Sequence, residues 1–198
     1  MPVHDHVLDE AEEHHRLVVT LGPQGTDASH VARRFPKVEL ARSFPEAMQT
    51  AWERDAAALI CAGFLERGRR GATDCWVDLH FRWNGRMQLR SCWAEPTKPM
   101  GIAVSPVVTG CAERVRLVAL HPATSAFADR YLPGVPRHYV VAKPLAVEMT
   151  ARGQADACIG SLDVLAATDL VVVHVLTPDM VWCLYTPSTP PADAAVVA

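Results

Sequence analysis

Long apolar runs, basic clusters and paired cysteines are all missing from this chain, and each absence removes a class of protein. No stretch approaches the roughly 20 apolar residues of a membrane span, and the acidic, His-rich segment 1–16 lacks the apolar core of a secretory signal. A cytoplasmic location without a membrane partner is expected. Lys and Arg total 19 against 22 Asp and Glu, a net charge of -3. Only Arg67, Arg69 and Arg70 cluster, too few cations for nucleic acid as a main partner. Cys61, Cys75, Cys92, Cys111, Cys158 and Cys183 form no C-x-x-C pair and mostly lie in apolar runs, so they read as reduced core thiols. No zinc-like spacing and no nucleophile elbow occurs, and neither a metal nor an organic cofactor is expected. His4, His6, His14 and His15 belong to the leader, 1–16, expected to be flexible. The Pro- and Ala-rich tail, 188–198, is expected to be disordered.

What the chain does have is apolar content, 49% of 198 residues, enough for a sizeable core in one domain or two small lobes. Short apolar runs alternate with helical patterns. Strands are expected at Leu17–Leu21, Val38–Ala41, Ala56–Cys61, Gly101–Val104, Val115–Leu120, His138–Val141, Ala155–Gly160 and Leu170–Leu176. Helices are expected over Thr26–Phe35, Phe44–Arg54, Ala123–Tyr131, Pro144–Arg152 and Leu162–Thr168. That order predicts an α/β fold with largely parallel sheets.

The sharpest local signal is Leu17-Val18-Val19-Thr20-Leu21-Gly22-Pro23-Gln24-Gly25-Thr26, a strand emptying into a Gly-rich turn and a helix start. Gly22 and Gly25 let backbone approach a ligand. Thr26, Asp27 and Ser29 stand where unpaired N–H groups begin, a setting that suits a carboxylate. The same residues also serve a plain turn and cap. A second junction follows the strand at Val115–Leu120, where His121-Pro122-Ala123-Thr124-Ser125 opens a helix. Two such junctions suit a ligand with two carboxylates.

Between Glu66 and Pro99 the helical signals fade. Alternation in Trp76–Trp83 predicts a strand, with Trp76, Asp78, His80 and Arg82 on one face, turning at Asn84-Gly85 into a second strand, Met87–Trp93. Arg binds carboxylate and His passes protons near neutral pH, so His80 and Arg82 are candidate site residues beside the alternative of a solvated face.

Strand-Gly-Pro-Gln-Gly-Thr-helix and His121-Pro122 together resemble the prephenate dehydratase family over Leu17 to Pro187. Leu120 departs from the Ser of the family's Ser-His-Pro. The resemblance implies a two-lobed, periplasmic-binding-protein-like (type II) α/β fold with ligand in the inter-lobe cleft. Lobe one would be 17–98 plus 168–187, lobe two 99–167, with no regulatory ACT domain after them. Two departures narrow the reading. Leu59-Ile60-Cys61-Ala62-Gly63-Phe64-Leu65 stands where dehydratases carry Pro-Ile-Glu-Asn-Ser, and Pro178-Asp179-Met180-Val181-Trp182-Cys183-Leu184 where Thr-Arg-Phe precedes the last strands. His80-Phe81, Pro99-Met100 and the Met180-x-Trp182-x-Leu184 pattern resemble instead the small non-aromatising prephenate decarboxylases of bacilysin-type antibiotic biosynthesis.

The resemblance implies a lyase that removes the ring carboxylate of prephenate and keeps the ring hydroxyl, in secondary metabolism fed by shikimate-derived precursors. Gly22, Gln24, Gly25, Thr26, Ser29, His121, Thr124 and Ser125 would hold substrate. His80, Arg82, Met180 and Trp182 would form the catalytic set. The alternatives are a dehydratase-like lyase acting on prephenate or another cyclic acid, as in tropone-type pathways, a non-catalytic small-molecule-binding protein, and a subunit of a larger complex. Prephenate or a related cyclic dicarboxylate is the expected partner, and a homodimer is the assembly to test.

Overall fold

A computed structural model describes residues 17–68, 71–110 and 114–188. The leader with its four histidines, Arg69, Arg70, Cys111 and most of the tail lie outside the described residues. The chain divides into two compact units, one holding 17–64, 74–95 and 180–188, the other 65–73 and 96–179. Two segments fall across the expected lobe boundaries: 65–73 and the strand Val171–Leu176 both belong to the second unit.

The first unit is built on a five-stranded sheet. Its strands are β1 (Val18–Leu21), β2 (Val38–Ala41), β3 (Ala57–Cys61), β6 (Met87–Pro96) and β12 (Asp179–Pro187), in the order β2-β1-β3-β12-β6. β1 runs parallel to β2 and β3, whereas β12 is antiparallel to β3, so the sheet is mixed rather than largely parallel. Helix α1 (Asp27–Val31) continues into a 3-10 turn at Ala32–Arg34. Helix α2 (Phe44–Glu53) follows from local signals: the Ser43 hydroxyl accepts the Glu46 N–H at 3.2 Å, Pro45 stands in the first turn, and Phe44, Ala47, Met48 and Ala51 make one buried stripe. These side chains join Val18, Val19, Leu59, Ile60, Trp182, Leu184 and Tyr185 in one core.

Helix α3 (Trp76–Arg82) stands where a strand was predicted. The same eight residues satisfy both periods, since Trp76, Leu79, His80 and Trp83 fall at i, i+3, i+4 and i+7. Leu79 and Trp83 are buried together and Phe81 is 69% exposed, so packing selects the helical period. The Asn84-Gly85 pair therefore joins a helix to β6 and does not turn a hairpin. The single-face grouping of Trp76, Asp78, His80 and Arg82 is likewise replaced.

The second unit carries a five-stranded sheet of β7 (Met100–Val104), β8 (Val118–Leu120), β9 (Arg137–Tyr139), β10 (Ala157–Ser161) and β11 (Val171–Leu176), ordered β11-β7-β10-β8-β9. β8 is parallel to β9 and β10, and β7 antiparallel to β10 and β11. Helices α4 (Ser125–Tyr131), α5 (Lys143–Ala151) and α6 (Leu162–Leu165) accompany it. A separate two-stranded ladder pairs β4 (Leu65–Gly68) with β5 (Gly71–Cys75). α5 lies so close to β10 that a β-carbon on Gly160 would stand 2.2 Å from a Val147 methyl. Among the described residues no helix is long and apolar enough to cross a membrane.

Candidate functional site

In the first unit, sheet register brings three sequence-distant segments to one edge. β1 and β3 are parallel, so Leu21-Gly22 and Cys61-Ala62-Gly63 leave the sheet at the same end. β12 is antiparallel to β3 with Trp182 opposite Cys61, so it starts there too, and the Ala62 N–H donates to the Val181 carbonyl at 2.9 Å. Gly63 is in direct contact with Met180: a β-carbon on it would lie 2.9 Å from Sδ. Trp182 is 1% exposed, and its indole N–H is buried without a hydrogen-bond partner. Segments 61–63 and 180–182 are thus neighbours, and they bring together a thioether, a thiol and an indole.

The Gly22–Thr26 loop is closed by its own hydrogen bonds. The Gly22 N–H donates to the Ala41 carbonyl at 2.8 Å, and the Thr26 hydroxyl donates to the Leu21 carbonyl at 3.1 Å while accepting the Ser29 N–H at 3.2 Å. The Ser29 hydroxyl donates to the Thr26 carbonyl at 3.0 Å and accepts the Gly25 N–H at 2.9 Å. Thr26 and Ser29 are therefore cap residues in this state. Gly25 adopts φ +96, a backbone conformation that favours glycine. Gln24 is exposed at the tip.

A second cluster lies on β12 and α3. His80 Nδ1 is 3.0 Å from the Tyr185 hydroxyl, and the imidazole stacks on Trp76 at 5.4 Å between centroids. Tyr185 is 1% exposed; burial, with the Cys183 thiol beside it, pushes its phenol well above the usual range. The phenol therefore keeps its proton, and which partner donates in its contact with His80 Nδ1 follows the imidazole tautomer. The Trp76 indole N–H is also buried, directed at the Tyr185 hydroxyl and the Cys183 thiol without ideal hydrogen-bond geometry to either. Arg82 points elsewhere: it pairs with Asp74 at 2.7 Å on the surface, and Asp78 accepts from the Cys75 thiol at 3.4 Å. His80 meets β12 at Tyr185, whereas Met180 and Trp182, at alternate positions of the unbulged strand, belong to its other face; Arg82 joins neither group.

In the second unit, His121 caps the 3-10 turn Pro122–Thr124, its Nδ1 accepting the Ala123 N–H at 3.2 Å. Burial and then the nearby Lys143 ammonium push this imidazole below its usual range, keeping it a neutral acceptor. The hydroxyl of Thr124, 3% exposed, donates to the His121 carbonyl at 2.7 Å, and that of Ser125 to the Pro122 carbonyl at 2.7 Å. Lys143 also approaches Met100 Sδ at 3.3 Å.

Gly63, Tyr185, Trp76 and Lys143 are the functional candidates missed by sequence reasoning. Lys143 could have been found from its position directly before the helix-opening Pro144, whereas Tyr185, three positions from Trp182 and so on the other face of the strand, gave no local signal. Not all cysteines are core thiols either: Cys158 and Cys183 are buried, Cys61 and Cys75 half-buried, but Cys92 is exposed.

These two sheets define the class: a mixed α/β fold, with no closed barrel among the described residues, matching prephenate dehydratases and Venus flytrap periplasmic-binding-like domains. Among solved structures, the chain is similar to a prephenate dehydratase from Arthrobacter aurescens in complex with L-Phe, at 15% identity and TM-score 0.57, over 88% of this chain and 61% of that one. It is also similar to the Staphylococcus aureus subsp. aureus Mu50 prephenate dehydratase (10% identity, TM-score 0.51, 86% of this chain and 66% of that one). The periplasmic VFT2 domain of Bordetella pertussis BvgS aligns at 16% identity and TM-score 0.52, over 94% of this chain and 87% of that domain. The chain thus spans less than two thirds of the length of either dehydratase, and at these identities the likeness is one of fold. No protein-family model and no curated protein matches the sequence.

Proposed function

We propose that this protein is a non-aromatising prephenate decarboxylase of the bacilysin-pathway kind, acting in secondary metabolism. One observation carries the reading: both segments that lack the dehydratase signatures converge, and Met180 against Gly63, beside Trp182, fills the place with apolar side chains. Dehydration needs a proton donor for the departing ring hydroxyl. An apolar wall favours the other outcome, because a poorly solvated ring carboxylate is destabilised relative to neutral carbon dioxide. The ring–carboxylate bond breaks, its electron pair enters the cyclohexadiene, and a proton is added at the far end of the diene. The hydroxyl stays, and the product is a dihydro-4-hydroxyphenylpyruvate.

His80, held by Tyr185 and Trp76 on the face of β12 opposite Met180 and Trp182, is the proton-carrier candidate in this reading. Arg82, committed to Asp74, is a structural cation rather than a substrate contact. Because the hydroxyls of Thr26 and Ser29 in the first unit, and of Thr124 and Ser125 in the second, are occupied internally, they shape their loops rather than bind a carboxylate. The same internal closure also favours a second reading, a small-molecule-binding protein without chemistry.

Incubating the protein with prephenate at neutral pH, followed by ultraviolet spectra and product mass against an enzyme-free control, separates these outcomes. Loss of carbon dioxide with the hydroxyl retained is expected. Phenylpyruvate would mean dehydration, and binding without turnover would favour the second reading. His80→Ala is expected to lower kcat by about 10²-fold or more; unchanged turnover removes His80 from the proton path.

A further inference from the structure

Among the described residues, two neighbouring sulfurs stand outside the proposed chemistry. Cys92 lies on β6, the edge strand of the first sheet, and Cys183 on its neighbour β12. The Cys92 thiol donates to the Cys183 sulfur at 3.4 Å. The two residues differ in access: Cys92 is exposed and Cys183 is 1% exposed. We propose that Cys92 and Cys183 are an oxidative modification site, closing to an intramolecular disulfide when Cys92 meets a two-electron oxidant of the hydrogen peroxide class.

Exposure fixes the order of events. Burial, with Cys92 adjacent, holds the Cys183 thiol strongly protonated, so the solvent-facing Cys92 is oxidised first. Its thiolate attacks one peroxide oxygen; an S–O bond forms, the O–O bond breaks, and the departing hydroxide takes a proton to become water. Cys183, losing its proton, then attacks the Cys92 sulfur. The S–S bond forms, the S–O bond breaks, and a second water leaves. Two thiols lose two electrons and one peroxide becomes two waters. Geometrically the step asks the sulfurs to close from 3.4 Å to roughly 2.0 Å between adjacent strands. The link would pin the edge strand to β12, which carries Trp182 and Tyr185.

The experiment treats the whole protein with hydrogen peroxide, then reads intact mass under denaturing, non-reducing conditions and maps linked peptides. The expected result is a loss of two hydrogens per chain, restored by reductant, with Cys92 and Cys183 in one linked peptide. Cys92→Ser, on the surface, should abolish the linked peptide completely while leaving the circular dichroism spectrum unchanged, and Cys183→Ala should do the same for the link. Cys92 carried to sulfinic acid with no linked peptide overturns the proposal. So does a link that joins Cys183 to Cys61, or one that survives in Cys92→Ser. None of these readouts depends on turnover.

Discussion

The two units solve the same local problem with different atoms. Each has a parallel strand that ends in a polar junction and opens a short helical segment, and each junction returns its hydroxyls to nearby carbonyls. In the first, a hydroxyl does the capping: Thr26 accepts the Ser29 N–H. In the second, an imidazole does it, His121 Nδ1 accepting the Ala123 N–H. A hydroxyl cap is indifferent to pH near neutrality, whereas an imidazole cap works only while neutral. The units also differ in filling. The first buries Trp83, Trp93, Trp182 and Tyr185. The second relies on Val, Ile, Leu and Ala, and leaves Val171, Val172, Val173 and Val175 of its edge strand exposed. Large aromatic bodies in one unit and close backbone approach in the other should respond to different substitutions.

The largest effect is expected from the aromatic filling. Trp182→Ala should cost about 3–5 kcal/mol in urea unfolding, with faster amide exchange in the first sheet than in the second; equal acceleration in both would erase the contrast. Next comes the close approach in the second unit. Gly160→Ala places a β-carbon against Val147 and should cost about 1–3 kcal/mol, with exchange rising around α5 and β10. An unchanged unfolding midpoint would show that Val147 yields easily. Smaller still, Thr26→Ala removes the first cap and should cost about 0.5–2 kcal/mol without altering the pH dependence of stability.

The subtlest contrast is the pH response of the second cap. His121 is more acidic folded than unfolded, so the unfolded chain binds the extra proton first. Its contribution is fully present above the unfolded value near 6.5 and declines as pH falls through the lower folded value. His121→Gln should flatten that acid limb in thermal melts, and Lys143→Met should raise the His121 titration midpoint seen by NMR. A limb that persists in His121→Gln assigns it to other groups.

How much of this was legible beforehand varies with the range of the signal. α2 could be read directly, because Ser43, Pro45, Glu46 and the Phe44–Ala47–Met48–Ala51 stripe are all local. Strands β1, β3, β8 and β10 were visible as short apolar runs, and both Gly- or Pro-marked junctions as strand-to-helix turns. Trp76–Trp83 was not, because an eight-residue pattern with apolar residues at both i+2 and i+3/i+4 spacing satisfies two periods at once. The candidate catalytic residues divide in the same way. Met180 and Trp182 were found from a local pattern, but Gly63 became meaningful only as the backbone against Met180, and Tyr185 only as the partner of His80.

Sequence alone, then, determined the alternation of elements, the two capped junctions and the apolar character of segments 59–65 and 180–184, because each is written within a few consecutive residues. Tertiary structure alone decided that Trp76–Trp83 is a helix, that Arg82 belongs to Asp74, that β11 joins the second sheet, and that Cys92 and Cys183 are neighbours. The physical reason is that those outcomes depend on burial and strand pairing between residues as much as 91 positions apart, where local preference has no purchase and packing against the rest of the core selects among conformations the local sequence leaves nearly equal.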